Sequence, residues 1–221
     1  MTTYMTTYRL RIERDDHAES PNEAMDDPAF IVTRSNRYFE PKAPKGWDLD
    51  RVERLLGKTD QCSKCGQTLL INEYGRLVDQ YTEGRVCGAD EDGGPHVPEE
   101  NDDAERFVAF PLYAYIHGGV ALSLGAFGDR WDSGQIGYVV VDLDGERDAA
   151  EGIARAWVET WNTYLSGEVY GYVVERIDTC NLGHEHAEQV DSCWGFYGDE
   201  QAARDEGESS LRFYENRKET A

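Results

Sequence analysis

The residues best able to do chemistry begin with two thiols. Cys62 and Cys65 stand in CSKCG, the spacing of a zinc knuckle. There two thiolates on a tight turn share one metal ion, and the glycine lets backbone N–H groups face the sulfurs. A closed structural site needs four ligands. Cys87 lies beyond a predicted hairpin, where a zinc-ribbon chain path returns, and His96 is the candidate fourth ligand. The second CxxC that an ordinary ribbon carries there is missing. Free thiols and a disulfide or redox pair are the alternatives, and the acidic, intracellular character of the chain argues against the disulfide. A weaker second cluster is Cys180, His184 and His186, followed by Cys193. The two imidazoles flank Glu185, so an extended segment points both the same way; the alternative is a polar hairpin tip with solvated histidines.

Acid–base and nucleophilic groups form a third set. His117 in HGG, Asp132 and Ser133 in WDSGQ, and Asp191 and Cys193 in DSC supply an imidazole, carboxylates, a hydroxyl and a thiol, the parts of a nucleophile, base and orienter. DSG is also ordinary turn chemistry, in which Asp or Ser accepts from nearby backbone N–H groups. No G-x-S-x-G, Walker loop, H-E-x-x-H or dinucleotide fingerprint occurs. The reading therefore leans away from an enzyme, and a small metal-dependent or thiol enzyme built on these loops is the alternative.

The elements that position these residues read as mixed α and β. TYRLRIER alternates as a first strand, with Tyr8, Leu10 and Ile12 on one face, and AFIVT resumes as a strand after a loop. DLDRVERLLG is a short helix capped by Asp48 or Asp50 and stopped by Gly57. RFVAFPLYAYI, GVALSL and IGYVVVDL are strand-like, as are EVYGYVVERI and EQVDSCWGFYG, with DTCNLGHEHA joining the last two. The helix DAAEGIARAWVETWNTYLSG places Ile153, Trp157, Trp161, Tyr164 and Leu165 on one face, with Asp148 as its N-cap and Gly167 as its stop. DEQAARDEG is a short terminal helix followed by a fraying end. In DSCWGFYG, Trp194 and Phe196 alternate with Cys193 and Tyr197 between the two faces of the closing strand.

Residues 60–104 differ from their surroundings: they hold CSKCG, a hairpin turning near Tyr74 and Gly75, Cys87 and an acidic, glycine-rich linker. The organisation expected is a core α+β domain in two parts, 1–59 and 105–221, interrupted by a cysteine-bearing insertion at 60–104. Its fold class is a mainly antiparallel sheet covered on one face by the Trp-bearing helix, with a small zinc-knuckle-like hairpin inserted.

Charge bounds the partners. The 221 residues carry 44 acids against 22 Lys and Arg, a formal net charge of -22. Clustered basic residues are what phosphate contact requires, so direct nucleic-acid binding is excluded. No apolar run is long enough to span a bilayer, and the N-terminus lacks the pattern of a signal peptide. Only five of the 22 basic residues are Lys, a balance that also suits a very salty cytoplasm, where the Debye length falls to about 3 Å and carboxylate repulsion is screened. Salt adaptation and mimicry of nucleic acid on a partner's basic surface predict the same composition.

Four segments, DDHAESPNEAMDDPAFIVTRSNRYF, FVAFPLYAYIHGGVALS, WDSGQIGYVVV and YLSGEVYGYVVE with DSCWGFYG, together resemble an uncharacterised family of small acidic proteins of bacteriophages, plasmids and other mobile elements. The resemblance covers roughly residues 8–39 and 106–198 and implies a mobile-element setting without supplying catalytic residues. The CSKCG region departs from the family pattern, which makes zinc a local addition. The function expected is that of a non-enzymatic accessory protein in the host cytoplasm. Its partner is a host protein with a basic surface, such as a defence nuclease or a transcription factor. A virion or assembly component is a third reading.

Overall fold

The computed structural model describes residues 4–34, 38–71, 77–79, 87, 103–143 and 147–218. In chain order the elements are β1 (Tyr4–Arg14), α1 (Pro21–Ala24), β2 (Ala29–Thr33), α2 (Leu49–Leu55), β3 (Thr59–Gln61), β4 (Thr68–Ile71), β5 (Leu77–Asp79), α3 (Asp103–Arg106), β6 (Phe107–Ile116), β7 (Val120–Ser123), β8 (Ser133–Asp142), α4 (Ala150–Leu165), β9 (Val169–Cys180), β10 (Glu185–Tyr197) and α5 (Glu200–Lys218). Among the described residues all strand pairing is antiparallel, and the class is α+β as the sequence pattern indicates. The strands divide among three sheets, ordered β1-β9-β10, β2-β8-β6-β7 and β3-β4-β5. Among the described residues no helix is long and apolar enough to cross a membrane.

The chain forms two compact units, residues 1–24 with 159–221, and residues 25–158. In the first, α5 packs across β1, β9 and β10. The sequence pattern reads the tail as a short helix with a frayed end, whereas α5 runs over Glu200–Lys218. The stripe that α5 buries explains the difference: it is built on Ala203, Gly207, Ser210, Leu211 and Tyr214, in which Leu211 is the one strongly apolar side chain, so the hydrophobic signal is weak. Gly207 is there because a Cβ would stand 2.6 Å from Leu10 Cδ1 and 3.0 Å from Tyr172 Cβ. The segment DTCNLGHEHA is mostly ladder rather than connection, since β9 runs to Cys180 and β10 restarts at Glu185.

A bulge in β10 overturns the expected alternation of DSCWGFYG. Trp194 opposes Gly171 and Phe196 opposes Tyr170, leaving Gly195 as the extra residue at φ +87°. One added residue reverses the parity of the strand. Cys193 and Phe196 therefore share the Tyr172 face, while Trp194 and Tyr197 share the opposite one.

In the second unit, β8 is central, and Tyr138, Val139, Val140 and Val141 are all buried. A strand covered on both faces reads as a continuous apolar run rather than an alternation. On one face of the sheet α2 and Trp47 pack against Val32, Ala109, Tyr138 and Val140. Asp48 caps α2 by accepting from the Arg51 N–H at 2.8 Å, and Gly57 at φ +65° follows its end. A 3-10 turn at Arg147–Ala149 precedes α4, so Asp148 lies within that turn rather than at an N-cap. On α4 the buried residues are Ala150, Ala154, Trp157, Val158 and Trp161; Ile153, Tyr164 and Leu165 are only partly covered.

Arg51 joins α2 to α3 through a two-pronged contact with Asp103, Nε to Oδ2 at 2.7 Å and Nη2 to Oδ1 at 2.8 Å. Hydrogen bonding to Arg51 holds the Asp103 carboxyl below its ordinary range. A carboxylate with a lowered folded-state pKa contributes stability that is full above its unfolded value, about 3.9, and is lost as pH falls through the folded value. Asp103→Ala is expected to cost about 1–2 kcal/mol at pH 7. Urea titrations at pH 7 and near pH 3 should show the gap between wild type and variant narrowing in acid.

Candidate metal centre

The small sheet β3-β4-β5 builds its core from thiols. Cys62 and Cys87 are fully buried beside Leu69, with Cys65 packed against them. The CSKCG turn links β3 to β4. Its geometry is set by three backbone features: Cys62 N–H donates to Gln67 O at 2.9 Å, Gly66 N–H donates to Cys62 O at 2.8 Å, and Gly66 sits at φ +69°. A residue with Cβ is strained at that φ, so the glycine after the second cysteine is what closes the turn. Gln61 Nε2 donates to Gly66 O at 3.0 Å and holds the turn from outside.

The Sγ atoms of Cys62, Cys65 and Cys87 all lie within 4.8 Å of one another, and Cys62 and Cys87 are 3.7 Å apart. Thiolates bound tetrahedrally at about 2.3 Å from one ion stand roughly 3.8 Å apart, whereas a disulfide brings its sulfurs to about 2.05 Å. The cysteines are free. This spacing suits a metal ion and does not suit a disulfide. The Gln67 backbone N–H favours the Cys65 thiolate, but desolvation and hydrogen bonds with the Cys87 and Cys62 thiols together outweigh it and raise the Cys65 pKa. The Cys65 thiol, crowded by the other two, resists ionisation until a cation is present. His96 lies outside the described residues.

Among the described residues these three cysteines are the one group of His, Cys, Asp and Glu whose ligand atoms converge in this way. Cys180, His184 and His186 are brought to one hairpin end, where Cys180 N–H donates to His184 O at 3.0 Å and His186 pairs with Asp178. Their ligand atoms do not meet at a common point.

The acid–base set is split between the units. His117, Asp132 and Ser133 belong to residues 25–158, and Asp191 and Cys193 to the other unit. Ser133 Oγ donates to the Asp129 carbonyl, and Asp132 O accepts from Ile116 N–H at 2.8 Å. No hydrogen bond joins the His117 imidazole to Asp132 or Ser133 among the described residues. Asp191 accepts from Tyr172 Oη at 3.3 Å, from Ser192 N–H at 2.9 Å and from Ser210 Oγ. Its carboxylate thus ties α5 to the sheet. Burial, then the Asp191 charge, pushes the Tyr172 hydroxyl up to about 12. The residue missed in the sequence is Asp129, whose Oδ1 accepts from Trp131 N–H at 2.7 Å and Asp132 N–H at 3.1 Å. The only hint of it was the spacing of GDRWDSG, since Asp commonly accepts from the amide two residues on.

No family model, curated protein or solved structure matches the chain.

Proposed function

We propose that the chain is a non-enzymatic binding protein that presents carboxylates to the basic surface of a protein partner. The observation that carries this reading is the use of its arginines. Arg9, Arg11, Arg51, Arg106, Arg155, Arg176, Arg204 and Arg212 all bond to carboxylates of the chain itself. With 22 basic residues against 44 acids, this internal pairing takes up eight of the basic side chains and leaves acids in excess. The surplus that a partner meets is carboxylate.

Within the unit of residues 1–24 and 159–221, several of these carboxylates gather at one end of the sheet. Asp15 N–H donates to Val169 O at 2.8 Å, Gly198 N–H to Glu168 O at 2.7 Å, and Tyr197 Oη to Glu19 O at 2.6 Å. These bonds bring Asp15, Asp16, Glu19, Glu168 and Asp199 to the same end. Such a face steers association with a basic surface and loses strength as salt screens it. In the mobile-element setting suggested by the sequence, the partner is a host nucleic-acid-binding protein, with carboxylates standing where phosphates would.

The reading includes a structural zinc ion held by Cys62, Cys65 and Cys87, with His96 as fourth ligand. Sulfur-rich, buried ligand sets suit zinc, which has no redox chemistry of its own and holds a fold together.

The test uses the tagged chain as bait in host lysate at about 0.1 M and about 1 M salt, where the Debye lengths are roughly 10 Å and 3 Å. A variant with Asp15, Asp16, Glu19, Glu168 and Asp199 changed to amides runs in parallel. The expected result is a stoichiometric basic protein retained at low salt, released at high salt and not retained by the variant. Retention that is equal at both salts and equal for the variant overturns the reading.

A further inference from the structure

Within the unit of residues 25–158, Trp131 is 94% exposed. A solvated indole forgoes one of the largest burial gains available to any side chain. The turn that carries it is tightly made. Asp129 Oδ1 takes the N–H groups of both Trp131 and Asp132, Ser133 Oγ donates to Asp129 O, and Asp132 O is bonded to the end of β6. The indole is held out by a fixed backbone rather than left on a slack loop.

The turn abuts a row of aromatic rings on β6, since Ser133 lies opposite Tyr115 and Ile116 N–H donates to Asp132 O. Leu112 and Ala114 are buried, so Tyr113 and Tyr115 face the other way, the side that α2 covers only at its other end, around Ala109. Tyr115 and His117 stack with planes 7° apart and centroids 6.2 Å apart, and the Phe127 ring lies 5.9 Å from Tyr115. The cross-strand neighbours are slender, Ser123 and Gln135 beside Tyr113, Ala121 and Ser133 beside Tyr115. Both tyrosines remain half-buried. Asp129 and Asp132 border this row and Arg130 stands between them; neither carboxylate has an ion pair among the described residues. Hydrogen bonds from the Asp132 and Trp131 amides hold the Asp129 carboxyl below its ordinary range, so it stays charged.

We propose that Trp131, with Tyr113, Tyr115 and His117, forms the docking surface for an arginine-bearing segment of a protein partner. The inference rests on the reading of a basic partner above and adds a contact surface on the unit of residues 25–158. Guanidinium stacks flat on aromatic faces and pairs with carboxylates at its edge, which is the combination this surface offers. Exposed tryptophans on rigid supports are the residues on which binding energy concentrates. Stacking of nucleobases on the same rings would need a cationic track for the phosphates, and the charged groups bordering Trp131 are two carboxylates and one arginine.

The full chain is titrated at low salt with a nona-arginine peptide by calorimetry, while ¹H–¹⁵N spectra follow the indole N–H signals. A single-stranded dT₁₀ oligonucleotide serves as the competing class. We expect the Trp131 indole signal to shift on saturation and Trp131→Ala to weaken binding about tenfold or more. Because Trp131 is solvated, the variant should keep its fold, and unchanged dispersion of the remaining signals checks this. Equal affinity of Trp131→Ala and wild type, with binding still weakened by salt, overturns this inference and leaves the acidic reading standing. Absence of any peptide binding by wild type overturns both. Binding of dT₁₀ that shifts the Trp131 signal overturns the choice of an arginine-bearing partner.

Discussion

Changing Cys62 to serine is expected to abolish zinc retention and to unfold β3-β4-β5 while the other two sheets persist. The three strands contribute three, four and three residues, too few to be stable through their own hydrogen bonds. Among the described residues the buried side chains here are Cys62, Leu69, Val78 and Cys87, two of the four being thiols. Apolar burial on that scale supplies only a few kcal/mol, whereas a structural zinc site contributes roughly 10–16 kcal/mol in small zinc-finger peptides. With the proposed zinc ion in place, metal binding would supply most of the stability of this sheet, and a serine that cannot donate a soft thiolate would remove it. Metal analysis of the purified chain should give one zinc per wild-type molecule and none for the variant. Hydrogen exchange should accelerate across residues 59–71 and 77–79, while β6, β8 and β9 keep their protection. A wild-type chain that holds no metal after refolding with zinc, together with a Cys62→Ser variant of unchanged exchange, would defeat this expectation.

The legibility of this site in the sequence follows from its being local. The C-x-x-C-G spacing carries its own turn, and Gly66 at positive φ is what the motif asks for. Cys87 follows the antiparallel pair β4–β5, whose strand pattern is also visible. Strands were readable for the same reason, because alternation in β1 and the unbroken apolar run of β8 are short-range signals. Three features were not readable. The α5 stripe relies on Ala203 and Gly207, which count for little in a hydrophobic pattern yet permit the close approach to Leu10 and Tyr172. The Gly195 bulge changes the facing of Trp194 and Phe196 by inserting a single residue, and glycine in a strand does not announce whether it will bulge. The separation of His117 and Asp132 from Asp191 and Cys193 into two units is a property of chain topology, so residue types that would suit one constellation are divided without any local sign of it.

Close approach also decides what the four-stranded sheet tolerates. Gly137→Ala is expected to destabilise the unit of residues 25–158 by about 3 kcal/mol, the upper end of ordinary overpacking penalties. Gly137 lies opposite Thr33 on β2 and Leu112 on β6, at an irregularity in the β6–β8 register. A Cβ there would stand 2.7 Å from Thr33 Cα and closer still to the Val32 carbonyl oxygen. Both obstacles are backbone, so no rotamer change relieves them; β2 has to move away from β8. That movement disturbs Ile31 and Val32, which are buried, and the bond from Arg34 N–H to Ile136 O at 3.0 Å. Gly134 in the same strand is the internal control, since nothing lies within 4 Å of its Cβ direction. Gly134→Ala should be neutral or slightly stabilising because alanine restricts the unfolded chain. In thermal melts the Gly137 variant should unfold roughly 6–12 °C below wild type and the Gly134 variant within a few degrees of it. If both substitutions shift the melt alike, the effect is one of strand propensity and the close β2–β8 approach is not what holds Gly137 in place.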